Sequence, residues 1–354
     1  MVYNKIMNAI FTDKIFGVLA DGNEVHLYTI SHGNLTFSAT NYGACLTSLI
    51  VPDKNNRKDD IIVGHPTLQG YISNWMCHGA IVGRYANRIS NASFKIDDTE
   101  YLLNKNGENG SCLHSGYDSY TRKLWDCKTF SDSTGCGLIF SRTSYDGEQG
   151  FPGNLEIQVI YSITDKNTFS MKICAKTDKK THVNLINHSY YNLKGIQTCN
   201  IDDLLLKINT DKLVETDENN LPTGKILNIK DTNFDFTDFK NISEAIKANE
   251  KNFDNCYFFE NNGSILPVAE VLDKISGRGM KVSSNQVGLQ LYTPVYERPF
   301  WGQYGVPAFG NGALCLETQA LPDSPNQPNF PSTLLLPNQL YESITILDFF
   351  LLMF

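Results

Sequence analysis

Residues 155–163, Leu-Glu-Ile-Gln-Val-Ile-Tyr-Ser-Ile, put apolar side chains at every second position. Only a backbone with a repeat of two turns that pattern into one apolar face, so the stretch is expected to be a strand half in a core. The same signature recurs along the chain. Residues 24–30 and 35–40 flank the turn Ser31-His32-Gly33-Asn34, a hairpin signal. Residues 46–51 stop at Pro52-Asp53, and 61–64 read as a further short strand. Residues 94–103 fold back around Asp97-Asp98, while 201–209, 225–229 and 333–336 also read as strands. The best helix candidate is residues 243–249, with Ser243 as its cap. Strands from end to end with one short helix predict an all-β fold, a large antiparallel β-sandwich formed as a single domain over residues 1–354.

Composition narrows the partners. Hydrophobic residues make up 41% of the 354 and charged residues 19%, which suits a globular chain rather than a disordered one. A formal net charge of −8 argues against nucleic acid or an anionic membrane as partner and leaves neutral ligands open. Nine cysteines are scattered without CxxC pairs, which supplies no metal framework and fits reduced thiols in a cytoplasmic protein. The first residues carry no apolar run ahead of a cleavage site, so no signal peptide is expected. The apolar end, residues 346–354, is too short to span a bilayer and reads as a closing strand. The glycine-rich turn at 146–154 precedes a strand rather than a helix, which removes a phosphate cradle. No GxGxxG follows a strand, so a nicotinamide dinucleotide is not expected; the reading is of an enzyme without cofactor or metal.

Three strand-like stretches combine an apolar face with a polar one, and each carries a titratable or amide group. In residues 181–192, Val183 and Leu185 point one way; His182, Asn184, Ile186, His188, Tyr190 and Asn192 point the other. A strand lining a wet cleft can carry such a mixture, with aromatic surface for a ligand and polar groups to orient it. His188 is the proton-transfer candidate, since an imidazole exchanges a proton near neutral pH. Gln290 and Tyr292 lie opposite Leu289 and Leu291. Glu317 shares its face with Cys315 and Gln319, opposite Leu314 and Leu316, and a carboxylate there is costly to bury without a partner. Elsewhere, Asn87 and Arg88 offer hydrogen-bonding groups to hydroxyls, although Arg84 and Arg88 also read as surface arginines lying along an apolar wall. His114 follows a polar loop, and Asp254 sits between aromatics.

These residues fall in motifs that together resemble the aldose 1-epimerase, or galactose mutarotase, family. The motifs are Asn41-Tyr42-Gly43-Ala44, Gly83-Arg84-Tyr85-Ala86-Asn87-Arg88-Ile89, Leu113-His114-Ser115-Gly116, Asn187-His188-Ser189-Tyr190-Tyr191-Asn192-Leu193, Phe253-Asp254, Leu289-Gln290-Leu291-Tyr292-Thr293, and Cys315-Leu316-Glu317-Thr318-Gln319 with Pro322-Asp323. The resemblance implies Glu317 as general base and His188 as general acid. It implies that Asn87, Arg88, His114, Tyr190, Asp254 and Gln290 surround a small-molecule aldose sugar, in a protein that is a monomer or a weak homodimer. Two positions depart from the family pattern: Ser115-Gly116 stands where two glycines are common, and Asn255 where a histidine is common.

The chemistry implied is opening of a pyranose ring, rotation about C1–C2 and reclosure. A base takes the anomeric proton while an acid protonates the ring oxygen. The two groups are expected opposed across the sugar, the carboxylate ionised and the histidine protonated. A glycoside hydrolase is the rival reading, with Asp254 and Glu317 as its two carboxylates.

Overall fold

The computed structural model describes residues 9–352 apart from 74, 134, 199 and 303–306. Three antiparallel sheets carry the architecture. The widest has nine strands in the order Asp126–Ser131, Cys136–Ser144, Leu155–Ile163, Thr168–Thr177, Tyr341–Leu351, Arg278–Ser284, Leu266–Leu272, Leu205–Ile208 and Lys240–Asn241. A second, of five strands, runs in chain order through Ile10–Val18, Glu24–His32, Leu35–Thr40, Leu46–Pro52 and Lys58–Asp60. The third, of six, is ordered Tyr190–Tyr191, Leu314–Gln319, Gly288–Tyr292, Asp254–Phe258, Lys212–Thr216 and Pro222–Asn228.

Alternation explains how they stack. Leu155, Ile157, Val159, Tyr161 and Ile163 turn one face of the nine-stranded sheet inward, and all are buried. Phe37 from the five-stranded sheet meets Tyr161 and Phe169 edge-on, with centroids 6.4 and 5.2 Å apart. Leu289, Leu291, Leu314 and Leu316 from the six-stranded sheet join the same core. The wide sheet is thus covered by the two narrower ones, an antiparallel β-sandwich as expected. The C-terminal segment does close it: Tyr341–Leu351 pairs with Thr168–Thr177 on one side and Arg278–Ser284 on the other, while 353–354 lie outside the described residues. Among the described residues no helix is long and apolar enough to cross a membrane.

Several elements differ from the sequence expectation. Residues 61–64 are not a strand; pairing ends at Asp60, and Ile62 makes one isolated bridge to Tyr191. The helix runs Ile242–Asn249, and its cap is Asn241, whose side chain accepts a hydrogen bond from the Glu244 backbone N–H at 3.0 Å. Ser243 is already inside the first turn. Most instructive is 181–192. It is broken into the pairs Thr181–His182, Ile186–Asn187 and Tyr190–Tyr191, each bonded to a different strand. Its Asn184 stitches elements together: its amide donates to Ala86 O at 3.1 Å and its carbonyl accepts from Ala320 N at 2.9 Å. Asn192 likewise donates to Gly312 O and Asn200 O, both at 3.1 Å. Polar groups that read as a wet face are, at these positions, buried partners of backbone.

Arg84 is a further correction. It is fully buried, not a surface arginine. Its guanidinium donates to Pro152 O at 2.6 Å, Ser144 Oγ at 2.8 Å and Thr181 Oγ1 at 3.2 Å. A fork of donors suits such a cluster of carbonyls and hydroxyls, and it anchors the segment that leads to Asn87 and Arg88.

Candidate active site

The outer face of the six-stranded sheet is where the polar halves of the alternating strands converge. Gln290 pairs across the ladder with Glu317, Tyr292 with Cys315 and with Asp254, and Tyr190 with Cys315. Directly opposed residues have Cβ atoms only about 5 Å apart, so register alone gathers these groups into one patch. Their neighbours Leu289, Leu291, Leu314 and Leu316 are locked into the core behind them. The patch floors a cavity of about 320 Å³. All eight residues singled out from the sequence line it: Glu317, His188, Asn87, Arg88, His114, Tyr190, Asp254 and Gln290. Leu113, Tyr292 and the run Trp75, Met76 and Cys77 complete the wall. Tyr292 had a signal, the polar side of its strand; the run at 75–77 belongs to a loop without motif or period.

At the centre, His188 Nε2 lies 3.6 Å from Glu317 Oε1, and both side chains are buried. They stand side by side on one wall, not opposed across the cavity. Groups so placed can reach both the anomeric oxygen and the ring oxygen of a pyranose, which are bonded to the same carbon. The main chain of His188 is held at both ends, its N–H donating to Ala80 O at 2.9 Å and its carbonyl accepting from Gly79 N at 2.8 Å. Gly79 has φ +68°, and a Cβ there would lie 2.0 Å from Leu46 O, so only glycine permits this approach.

A second group faces them. Asp254 Oδ2 accepts from Arg88 Nη2 at 3.0 Å, and Oδ1 accepts from Gln290 Nε2 at 2.6 Å. Gln290 Oε1 accepts from Gln319 Nε2 at 3.1 Å, which fixes the amide's orientation. Arg88 is placed from behind: its carbonyl accepts from Asp323 N at 2.9 Å, and Asp323 Oδ1 accepts from Ser90 N at 2.9 Å. Asn87 and His114 both have left-handed backbones, φ 65° and 52°, a strained state that clusters at functional sites. They hold each other there. Asn87 N donates to His114 Nδ1 and His114 N to Asn87 O, each at 3.1 Å. With Nδ1 accepting, the neutral ring of His114 keeps its proton on Nε2, a donor for a ligand oxygen. Ser115, one of the two departures, also has φ 65°; its hydroxyl accepts from Tyr85 N at 2.7 Å and donates to Tyr85 O at 3.0 Å, tying this loop to the 85–88 segment.

Electrostatics here runs against the sequence expectation. Burial pushes His188 down to about 4, and it pushes the Glu317 carboxyl well above the usual range, an effect the nearby Asp254 charge reinforces and Arg88 opposes. Desolvation penalises each charged form, so the uncharged pair is favoured in the free protein rather than a carboxylate beside an imidazolium. Burial likewise holds His114 and His78 well below the ordinary imidazole value. His182 is pushed down to about 4 by burial and lies outside this cavity, with Nδ1 2.9 Å from Thr333 Oγ1. Cys315 Sγ, His188 and Glu317 offer ligand atoms within 4.8 Å of one another.

These shifts set a stability profile. A histidine whose folded value is depressed stabilises the fold fully above its unfolded value of 6.5, and that contribution is lost as pH falls toward the folded value. For His182 the loss between pH 6.5 and 4 is about 3 kcal/mol. His78, His114 and His188 act in the same direction, and Glu317, raised, acts in the opposite one above 4.5. Urea midpoints are therefore expected to fall steadily from pH 7 to 4.5. A flat profile would show that these rings reach water.

Residues 26–348 match the model of the family described as aldose 1-epimerase. The chain is 34% identical over 341 residues to galactose mutarotase of Homo sapiens, covering 96% of this chain and 98% of that one. It is 31% identical over 345 residues to aldose 1-epimerase of Escherichia coli (strain K12), covering 93% and 96%. Among solved structures, an aldose epimerase homologue of C. elegans superposes with a TM-score of 0.82 at 27% identity, covering 90% of this chain and 97% of that one. A galactose 1-epimerase of Lactobacillus acidophilus NCFM shares the fold with a TM-score of 0.82 at 22% identity, covering 98% and 99%. With its matched residues spanning every element of the cavity, the chain belongs to the aldose 1-epimerase family and is a carbohydrate isomerase.

Proposed function

We propose that this enzyme interconverts the α and β anomers of hexoses such as galactose and glucose, with Glu317 as general base and His188 as general acid. The observation that carries the reading is the 3.6 Å separation of His188 Nε2 and Glu317 Oε1 inside a cavity otherwise furnished with hydroxyl-binding groups. Glu317 removes the proton from O1 as the C1–O5 bond breaks. The bonding pair moves to O5, which takes a proton from His188, and C1 becomes an aldehyde carbon. After rotation about C1–C2, O5 returns its proton to His188 and adds to the other face of C1, while O1 recovers a proton from Glu317. One proton is shared by the pair at every stage. The uncharged pair of the free protein and the carboxylate–imidazolium form are the same protonation level, differing by one transfer. Arg88 favours the ionised carboxyl, and hydrogen bonds from sugar hydroxyls add to that once water is displaced.

Asn87, Arg88, His114, Tyr190, Asp254 and Gln290 bind the sugar and keep the open chain in place for reclosure. Asp254 acts here as an acceptor. Both of its oxygens are engaged, by Arg88 and Gln290, which disfavours it as the proton donor a glycoside hydrolase needs. We further propose that the whole chain works as one catalytic domain. The general test is the rate at which freshly dissolved single anomers of several aldoses approach their equilibrium rotation, above the spontaneous rate. Arg88→Ala removes a charged hydrogen-bond donor and is expected to weaken sugar binding roughly 10- to 100-fold with the fold intact. Titration calorimetry reads this directly, and unchanged affinity would remove Arg88 from the sugar-holding set.

A further inference from the structure

An imidazole that hands protons to one oxygen must keep its ring plane fixed, and usually a short hydrogen bond at the second nitrogen does this. Among the described residues no side chain supplies a short one to His188. Its Nδ1 faces Cys315 Sγ at 3.8 Å, a weak contact, and its Nε2 faces Glu317 at 3.6 Å. Its ring is instead packed among other rings. Tyr190 stacks on it with centroids 5.1 Å apart and planes 16° from parallel; His114 and Tyr292 meet it edge-on at 5.4 and 6.2 Å. Tyr190 is in turn clamped. Its hydroxyl donates to Met76 O at 2.8 Å, and its other face carries the ring of His78, 4.1 Å away and 24° from parallel. His78 is 2% exposed, is braced edge-on by His65 at 5.0 Å, and does not line the cavity. It directly precedes Gly79 and Ala80, whose backbone holds both ends of His188.

We propose that His78 is a positioning residue for the proton-transfer step: as the outer plate of a His78–Tyr190–His188 stack, it fixes the plane of Tyr190 and thereby the aim of His188 at the sugar oxygen. The inference rests on the role proposed for His188. Burial keeps His78 uncharged, so it meets Tyr190 as a neutral aromatic ring and not as a cation. A phenyl ring restores the plate; a branched aliphatic chain of similar bulk fills the space but leaves Tyr190 free to tilt. A misplacement of about 1 Å at a reacting group can cost on the order of 10²-fold in rate.

The experiment compares His78→Leu and His78→Phe with the parent enzyme and with His188→Asn, using optical-rotation kinetics on a single galactose anomer, with native circular dichroism as the criterion of folding. His78→Leu is expected to lower kcat by on the order of 10-fold or more while KM stays within about twofold. His78→Phe is expected to recover most of kcat. The proposal is overturned if His78→Leu keeps kcat, if KM changes instead of kcat, or if His78→Phe is as impaired as His78→Leu. Should His188→Asn turn over normally, the role of His188 itself fails, an outcome separable from failure of the stack alone. If His78→Leu does not fold, the folded His78→Phe variant still decides: kcat near the parent's supports a ring-specific role, and a large loss refutes it.

Discussion

Replacing Glu317 with glutamine is expected to abolish nearly all turnover, a loss on the order of 10²–10⁴-fold, while the fold and sugar binding survive. Shape and hydrogen-bonding reach are almost unchanged by this substitution; what disappears is the capacity to accept a proton. Stability should hold or rise slightly. The Glu317 carboxyl is buried beside the Asp254 charge, which is why it resists ionising, and a neutral amide carries no such penalty. Glu317→Gln is thus expected to separate activity from stability in one variant. The measurements are the decay of optical rotation of a freshly dissolved anomer, corrected for the spontaneous rate, and calorimetric titration with the same sugar. An unchanged decay would remove Glu317 from the reaction. Loss of sugar binding together with activity would recast it as a binding group.

The pattern of strands that carries this site was readable in the sequence because a half-buried strand writes its two faces into alternate residues. Leu155–Ile163 has the expected bounds, and the split of Leu289 and Leu291 from Gln290 and Tyr292 is the split between core and cavity. The same rule misled at 181–192, where it gave one continuous strand with a wet face. Only His188 and Tyr190 of that face reach the cavity; Asn184 and Asn192 are buried and bonded to backbone, and His182 packs against Phe94. Alternation reports polarity, but not whether a polar group meets solvent or a carbonyl supplied from another part of the chain. Arg84 shows the same limit, since its acceptors come from residues 36 to 97 positions away. The electrostatic inversion at His188 and Glu317 has this origin too. Which form of each group is favoured depends on burial by elements far apart in sequence, and no local pattern encodes it.

His188→Asn is expected to match Glu317→Gln in size of effect, roughly 10²–10⁴-fold in turnover, for a complementary reason. The asparagine amide can still donate a hydrogen bond to the ring oxygen, but it has no proton to give up and recover. KM should move little if, as proposed, the sugar is held by the groups around Asp254 and Arg88. The stronger test is the double variant. If the two side chains pass one proton between them and the sugar, removing the second after the first costs little more, and Glu317→Gln/His188→Asn should be about as slow as either single variant. Multiplicative losses would mean that the residues act in independent steps, which the 3.6 Å contact between them argues against. Rates for the four proteins, measured on one sugar anomer at one pH where all remain folded, decide between these outcomes.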